Sequence, residues 1–266
     1  MPARLRVLGS GTSTGVPMLG CGCPVCTSAD PRDHRLRPSI LLRHQGQVAL
    51  IDTSPDFRAQ ALAARLDRLD AVLFTHSHAD HIFGLDDIRQ FNAAHGGPIP
   101  VFADGRTLAD LRRVFQYVFA NDYPFSAIPQ IAAQEIAPPA ANATGPRPPI
   151  AAAGIAFEPL EVLHGQLPIT AFRFGPNAYV TDFSEIPPAA MERLRGLDVL
   201  ILDALRLRPH PTHSSVANSL RLVAELAPRR AFFTHICHDL PHQVTEATLP
   251  ANVRLAYDGL ELDIEV

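Results

Sequence analysis

The sequence predicts an α/β protein in which two β-sheets are flanked by helices. Three observations favour this fold class. Short apolar runs alternate with segments of helical periodicity, polar residues gather where the apolar runs end, and 266 residues suffice for one large core. The composition, with 47% hydrophobic and 19% charged residues, is that of a globular protein. We therefore interpret residues 1–266 as a single domain.

The predicted strands are short apolar runs bounded by Gly, Pro, Asn or Asp, and the predicted helices have apolar residues three or four positions apart. The strands are predicted at Arg4–Leu8, Ser39–Arg43, Val48–Ile51, Asp70–Phe74, Ile99–Phe102, Phe157–Leu163, Ala171–Phe174, Asn177–Thr181, Val199–Leu202, Ala231–Thr234, Val253–Tyr257 and Leu260–Val266. The helices are predicted at Asp56–Ala64, Leu85–His95, Thr107–Phe119, Ala189–Leu194 and Ser215–Leu226. We expect the last two strands to form a hairpin that turns at Asp258-Gly259.

A Pro- and Ala-rich stretch from Pro124 to Ala153 lacks regular periodicity. We expect residues 104–153 to be an insertion within the domain. Two interpretations of it remain open, a surface loop and a lid that forms one wall of a substrate site.

Composition and charge argue against several classes of function. The net charge of −4 argues against a nucleic-acid partner or an anionic membrane. No apolar run reaches the roughly 18 residues of a membrane span, and Val7-Leu8 is predicted to be a strand rather than the apolar core of a signal peptide. We therefore expect a cytoplasmic protein. All 23 basic residues are Arg and Trp is absent, a bias typical of a GC-rich bacterial genome.

The motif Thr75-His76-Ser77-His78-Ala79-Asp80-His81 follows a predicted strand and indicates a metal site. In an extended chain, side chains two positions apart share a face, so His76 and His78 can bind one ion. Asp80 and His81 can bind a second ion, and this ligand chemistry suits Zn(II) or Mn(II). The alternative is a histidine-rich surface turn.

Further His and Asp residues follow other predicted strands, where a core position would need them paired or ligated. The predicted ligands are His76, His78 and His164 for one ion, Asp80, His81 and His235 for the other, and Asp182 as a bridge between the two. Two ions held in this way would share a water or hydroxide.

A second metal site is predicted at Cys21-Gly22-Cys23-Pro24-Val25-Cys26, whose three thiols suit a tetrahedral zinc. His238 is the candidate for the fourth ligand because it lies three residues after His235. The alternative is three unligated thiols. Cys237, the remaining cysteine, is predicted to be packed rather than reactive.

With these motifs the chain resembles the metallo-β-lactamase superfamily, whose αββα sandwich carries a dinuclear metal site along one edge. The resemblance implies that Asp52 orients a ligand ring instead of binding metal. The loop Gly9-Ser10-Gly11-Thr12 through Val16-Pro17, the Cys-x-Cys-x-x-Cys motif and Thr234-His235-Ile236-Cys237-His238 resemble the PhnP-type phosphodiesterases.

That resemblance implies a structural zinc on Cys21, Cys23, Cys26 and His238, and a catalytic histidine at His213. His210 is the competing choice for that histidine, and either could lie on the surface. The resemblance also suggests a homodimer. Asp122-Tyr123-Pro124, within the predicted insertion, has no counterpart in the family pattern.

We therefore expect a hydrolase of small phosphodiesters, including cyclic ribose phosphates, in which a metal-bridging hydroxide attacks phosphorus. Asp80 and His213 are the predicted catalytic residues, and His213 would serve as general acid or phosphate clamp. Three other functions compete with this one: hydrolysis of an ester, thioester or lactam, processing of transfer-RNA 3′ ends, and metal binding without catalysis.

Overall fold

Two seven-stranded mixed sheets form the centre of the structure, a computed structural model that describes residues 2–120, 127–137 and 147–266. The first sheet has the order β14-β1-β2-β3-β4-β5-β6, and the second has the order β13-β12-β11-β10-β9-β8-β7. Strands of the first sheet are β1 (Pro2–Gly9), β2 (Ser39–His44), β3 (Gln47–Ile51), β4 (Ala71–Leu73), β5 (Ile99–Ala103), β6 (Ile131–Glu135) and β14 (Glu261–Glu265). Strands of the second sheet are β7 (Ile150–Ala152), β8 (Ile155–His164), β9 (Leu167–Phe174), β10 (Asn177–Val180), β11 (Val199–Asp203), β12 (Arg230–Thr234) and β13 (Val253–Leu255).

Helices lie on the outer face of each sheet, which confirms the predicted αββα sandwich. They are α1 (Phe57–Ala63), α2 (Ala79–Ile82), α3 (Asn92–His95), α4 (Gly105–Val114), α5 (Gln116–Ala120), α6 (Pro188–Arg193), α7 (Val216–Leu226) and α8 (His242–Glu246). A 3-10 segment over Leu85–Phe91 precedes α3, where the sequence predicts one continuous helix. None of the helices in the described ranges is long and apolar enough to cross a bilayer.

Three layers of apolar side chains hold the sandwich together. The central layer lies between the sheets and includes Val7, Ile40 and Phe172. One outer layer packs α1 and α4 on the first sheet, and the other packs α6 and α7 on the second. Each sheet is antiparallel on one side and parallel on the other. The strands β3, β4 and β5 are parallel to one another, and so are β10, β11 and β12.

The predicted hairpin at Asp258-Gly259 is wrong. The strand β13 pairs with β12 in the second sheet, whereas β14 pairs with β1 in the first, so the chain crosses between the sheets at this point. The Asp258 carboxylate accepts hydrogen bonds from the backbone N–H groups of Ser10 (2.9 Å) and Leu36 (2.7 Å). A turn signal is local, but these strands are placed by partners that are distant in the sequence.

Parts of the predicted insertion over 104–153 belong to regular elements. Its described residues form α4 and α5 and contribute β6 and β7, which lie at the edges of the two sheets. Residues 121–126 and 138–146, which include Asp122-Tyr123-Pro124, lie outside the described residues.

A fully buried arginine ties the N-terminal loop to the segment that follows β12. Arg35 Nη1 donates to the Cys237 carbonyl (3.2 Å), and Nη2 donates to the Leu240 carbonyl (2.8 Å) and to Asp33 Oδ1 (3.2 Å). The Arg35 side chain is 0% exposed, so each of these bonds forms away from water. Removal of the guanidinium would leave the carbonyls of Cys237 and Leu240 without this donor and would remove the cation beside Asp33.

We expect Arg35→Met to lower the free energy of unfolding by about 3 kcal/mol, because one partner of a buried ionic network is lost. Urea denaturation measures this change. Arg4→Met is the matched control, since the Arg4 side chain is 58% exposed and the loss there should stay within about 0.5 kcal/mol. Equal unfolding midpoints for the two variants would contradict the assigned role of Arg35.

Candidate metal centre

The predicted ligands converge at one edge of the sandwich, where parallel strands of both sheets end. Asp52 follows β3 and the motif at 75–81 follows β4, while Asp182 follows β10 and His235 follows β12. His164 is the last residue of β8, at the same edge. The carboxyl ends of parallel strands lie at the same edge of a sheet. Polar residues that directly follow these apolar strands therefore lie close together in space, although they are far apart in the sequence.

Three of these residues adopt a left-handed backbone that is uncommon outside glycine. The φ angles are 64° at Asp52, 57° at Asp182 and 57° at His235. Such a conformation costs about 1–3 kcal/mol and persists where the surrounding structure enforces it. In each case it turns the chain at the end of a strand.

The first group consists of His76, His78 and His164, whose ligand atoms lie within 4.8 Å of one another. The ring centroids of His76 and His78 are 4.5 Å apart, and those of His78 and His164 are 5.0 Å apart. His164 donates from Nδ1 to the Thr212 carbonyl (2.8 Å), which leaves its Nε2 free to bind a cation.

The second group consists of Asp80, His81, Asp182 and His235, all of them buried and also within 4.8 Å of one another. His81 Nε2 lies 3.3 Å from Asp80 Oδ2 and 3.3 Å from Asp182 Oδ2, and His235 Nδ1 lies 3.2 Å from the same Asp182 oxygen. Asp182 also forms a third group with His164 and His213. Its carboxylate therefore lies between the two groups, where a bridging ligand is predicted.

Several buried atoms of this cluster have no hydrogen-bond partner, and this observation tests whether a metal fits. The atoms are His76 Nε2, Asp80 Oδ2, His81 Nε2, His235 Nδ1 and His235 Nε2. Buried polar atoms are normally satisfied, so their convergence without donors or acceptors needs an explanation. Divalent cations satisfy imidazole nitrogens and carboxylate oxygens at once. The cluster is thus suited to metal binding.

Opposite charges stabilise the cluster electrostatically. Burial opposes a charge on His81, but the carboxylates of Asp182, Asp80 and Asp52 outweigh it and raise the pKa of this imidazole well above its usual value. Burial likewise opposes ionisation of Asp182, yet His235 and His81 hold the pKa of that carboxyl well below its usual range. Burial lowers the pKa of His76 and keeps it in the neutral form that binds metal.

Asp52 contacts a candidate ligand from behind, as the family resemblance implies. Its Oδ2 accepts a hydrogen bond from His81 Nδ1 (2.7 Å), and the Thr75 backbone N–H donates to Oδ1 (2.8 Å). The Thr75 hydroxyl also donates to Oδ2 (2.8 Å). These contacts fix the ring of His81 with Nε2 directed at the cluster.

We expect Asp52→Asn to weaken metal binding about 10- to 100-fold, because one acceptor oxygen of the bonded carboxylate is replaced by an amide donor. Competition with a chromophoric chelator measures the affinity. Asp67→Asn serves as the control, since the Asp67 side chain is 85% exposed and should bind metal like the parent chain. Parental affinity in Asp52→Asn would refute the orienting role.

The His213 ring contacts two members of the cluster, whereas the His210 ring lies beside His213. The His213 ring is 4.6 Å from that of His164 and stacks at 4.7 Å on that of His235. His210 lies 5.1 Å from the His213 ring, and its Nδ1 accepts a hydrogen bond from the Thr212 N–H (3.3 Å). Among the described residues, no candidate metal group includes His210.

Asp203 contacts His213 and is absent from the ligand set predicted from the sequence. Its Oδ2 accepts from His213 Nδ1 (2.9 Å), and burial raises the pKa of Asp203 to about 7. Burial lowers the pKa of His213, but the contact with Asp203 outweighs this and raises it overall. The sequence pattern that predicts the ligands also applies to Asp203, because this residue directly follows the apolar run Val199–Leu202.

The cysteine motif forms a separate group with His238. His238 Nδ1 lies 3.2 Å from Cys21 Sγ, 3.5 Å from Cys23 Sγ and 3.5 Å from Cys26 Sγ. The Cys26 backbone N–H donates to Cys23 Sγ and lowers the pKa of that thiol to about 6, which favours a thiolate ligand. Cys237 stays outside this group, and its Sγ accepts from the Asp239 N–H (3.3 Å).

We expect Cys23→Ser to lose about one zinc per chain and to unfold at a lower temperature, because metal binding contributes to the folding free energy. Elemental analysis and thermal denaturation measure the two effects. Cys237→Ser is the matched control, since it removes a thiol that lies outside the group. Zinc content unchanged by Cys23→Ser would disprove the site.

The family model for the Beta-lactamase superfamily domain matches residues 48–236. The chain therefore belongs to the beta-lactamase superfamily, and its fold is the metallo-β-lactamase fold. Within this superfamily it is similar to a crystal structure described as a new diphosphatase from the PhnP family. The identity is 47% and the TM-score 0.90, over 99% of this chain and 98% of the other.

Two further relatives extend this picture. A Porphyromonas gingivalis protein named octanoyltransferase is 38% identical over 98% of this chain, and the chain spans about half (52%) of that protein's length. Zn(2+)-bound PqqB from Methylobacterium extorquens is 24% identical with a TM-score of 0.77, over 98% of this chain and 100% of that one, and shows the shared fold alone. Superfamily membership and the metal-suited cluster together support a hydrolase.

Proposed function

We propose that this chain is a metal-dependent phosphodiesterase that acts on small substrates. The observation that carries the proposal is the position of Asp182 between two groups of ligands, each able to hold one cation. Sites that hold two ions about 3.5–4 Å apart are used by phosphatases and nucleases, among other hydrolases.

In this proposal His76, His78 and His164 hold one ion, and Asp80, His81 and His235 hold the other, with Asp182 common to both. Divalent ions bound there would act as Lewis acids toward water and phosphoryl oxygens. Asp52 holds the His81 ring, and the Thr212 carbonyl holds the His164 ring. These two bonds hold the rings of His81 and His164 in orientations that can bind a cation. Cys21, Cys23, Cys26 and His238 would hold a separate structural zinc.

His213 is proposed to act on the substrate directly. Its Nδ1 donates to Asp203, which fixes the ring and leaves Nε2 available to hold or release a proton. The stacking on His235 keeps this ring beside the cluster without making it part of the seven-residue ligand set. His213 can therefore protonate a departing oxygen or donate a hydrogen bond to a phosphoryl oxygen.

The similarity to the PhnP-family diphosphatase supports phosphorus chemistry and also favours a second candidate. A diphosphate is a phosphoric anhydride, so its bridging oxygen leaves from phosphorus as the alkoxide of a phosphodiester does. The same ligands and the same His213 serve either bond. The negative net charge of −4 argues for small substrates over long polyanions.

The proposal is tested by a turnover screen with purified chain loaded with Zn(II) or Mn(II). Substrates are a bis-aryl phosphodiester, a cyclic ribose phosphate, a nucleoside diphosphate sugar, an aryl phosphomonoester, a thioester, a lactam and a transfer-RNA precursor. We expect turnover of the phosphodiesters or of the diphosphate and little of the others. Preferred turnover of the thioester, the lactam or the RNA would overturn the proposal.

Single histidine variants separate the roles of ligand and proton donor. We expect His78→Ala to abolish turnover together with metal loading, and His213→Ala to retain metal but lose about 10²–10⁴ in kcat. His210→Ala is the matched control and should retain both properties, because it lies outside the metal groups. Equal metal loss in His78→Ala and His213→Ala would contradict the separate roles, and kinetics with elemental analysis give the readout.

A further inference from the structure

Ser77 lies between two candidate ligands, His76 and His78, on a stretch without regular secondary structure. Its hydroxyl donates to Asp110 Oδ2 at 2.6 Å. Asp110 belongs to α4 and is 33 residues further along the chain. In the described ranges, no other side chain of residues 76–78 forms a hydrogen bond outside the 75–81 motif. Within the described residues, the Ser77–Asp110 bond is therefore the one side-chain hydrogen bond that links residues 76–78 to another part of the chain.

His78 depends on this restraint more than the other ligands do. His81 is held by Asp52, and His164 is held by the Thr212 carbonyl. The imidazole of His78 is exposed and has no hydrogen-bond partner among the residues described. Only its backbone is fixed on the C-terminal side, where its carbonyl accepts from the His81 N–H (3.0 Å) at the start of α2. On the N-terminal side, the backbone of His78 is held through Ser77 and its hydrogen bond to Asp110.

The helix α4 is a firm anchor for the bond. The Asp104 side chain caps its first turn by accepting from the Thr107 N–H (2.8 Å). Leu108 and Leu111 are buried in the outer layer of the first sheet, 2% and 0% exposed. Arg113 Nη2 donates to the second Asp110 oxygen (3.1 Å), so the carboxylate has a donor on each side.

We propose that Asp110 is a positioning residue that, through Ser77, holds His76 and His78 in place for a cation. The inference rests on the proposed two-ion site but not on the identity of the substrate. Its effect is confined to the ion held by His76, His78 and His164. The ligands of the second ion are restrained independently, by Asp52 and by the left-handed turns at Asp182 and His235.

Zn(II) affinity in chelator competition is the test, applied to the full chain and three variants. Two Zn(II) ions are expected to bind at the active site. We expect Ser77→Ala and Asp110→Ala each to lower the affinity for one of them about 10-fold, as loss of a hydrogen bond that orients a metal ligand typically does. Asp110→Asn keeps a carbonyl oxygen that accepts from Ser77 and should bind nearly as the parent does. The double variant Ser77→Ala/Asp110→Ala should bind no more weakly than either single variant, because both remove the same bond.

Arg113→Ala is the matched control, since it removes the other partner of Asp110 and leaves the Ser77 bond in place. Thermal denaturation checks that the variants remain folded, which we expect because the replaced residues are not fully buried. Parental affinity in Ser77→Ala and Asp110→Ala, or additive losses in the double variant, would overturn this inference alone. A parent chain that binds no ions at the centre would overturn the proposed function along with it.

Discussion

The buried carboxylate of Asp182 is the contact on which the arrangement of the metal centre depends. It is 2% exposed, and one of its oxygens lies within 3.3 Å of both His81 Nε2 and His235 Nδ1. A carboxylate in such a place is tolerated only with charged or metal partners, because burial without them costs several kcal/mol. Imidazoles from both groups lie beside it, His164 from the first and His81 and His235 from the second, and the left-handed turn at Asp182 directs it there.

The metal centre also depends on the packing of the two sheets. His76, His78, Asp80 and His81 come from the first sheet, whereas His164, Asp182 and His235 come from the second. Backbone bonds join the sheets beside the cluster, from the Thr170 N–H to the Thr75 carbonyl (2.9 Å) and from the Ile236 N–H to the Ser10 carbonyl (2.9 Å). Because each half of the site belongs to a different sheet, the apolar layer between them sets the distances between ligands.

Local signals in the sequence were enough to predict most of the residues that converge at this edge of the sandwich. A polar residue after an apolar run identified Asp182 and His235, and close spacing identified the cysteine group. Contacts between distant residues were not predictable in this way. Asp203 gains its role only from His213 beside it, and Ser77 meets Asp110 across 33 residues. The turn residues Asp258-Gly259 indicated a hairpin, but long-range pairing placed the adjoining strands in different sheets.

The crossing at Asp258-Gly259 has a consequence for synthesis on the ribosome. The strand β1 is synthesised more than 250 residues before β14, which is one of its two neighbours in the first sheet. Until then β1 presents an unpaired edge with free N–H and C=O groups, a template for intermolecular pairing. The nascent chain thus carries an exposed strand edge while the residues between β1 and β14 are made, and closure of the first sheet must follow translation of β14.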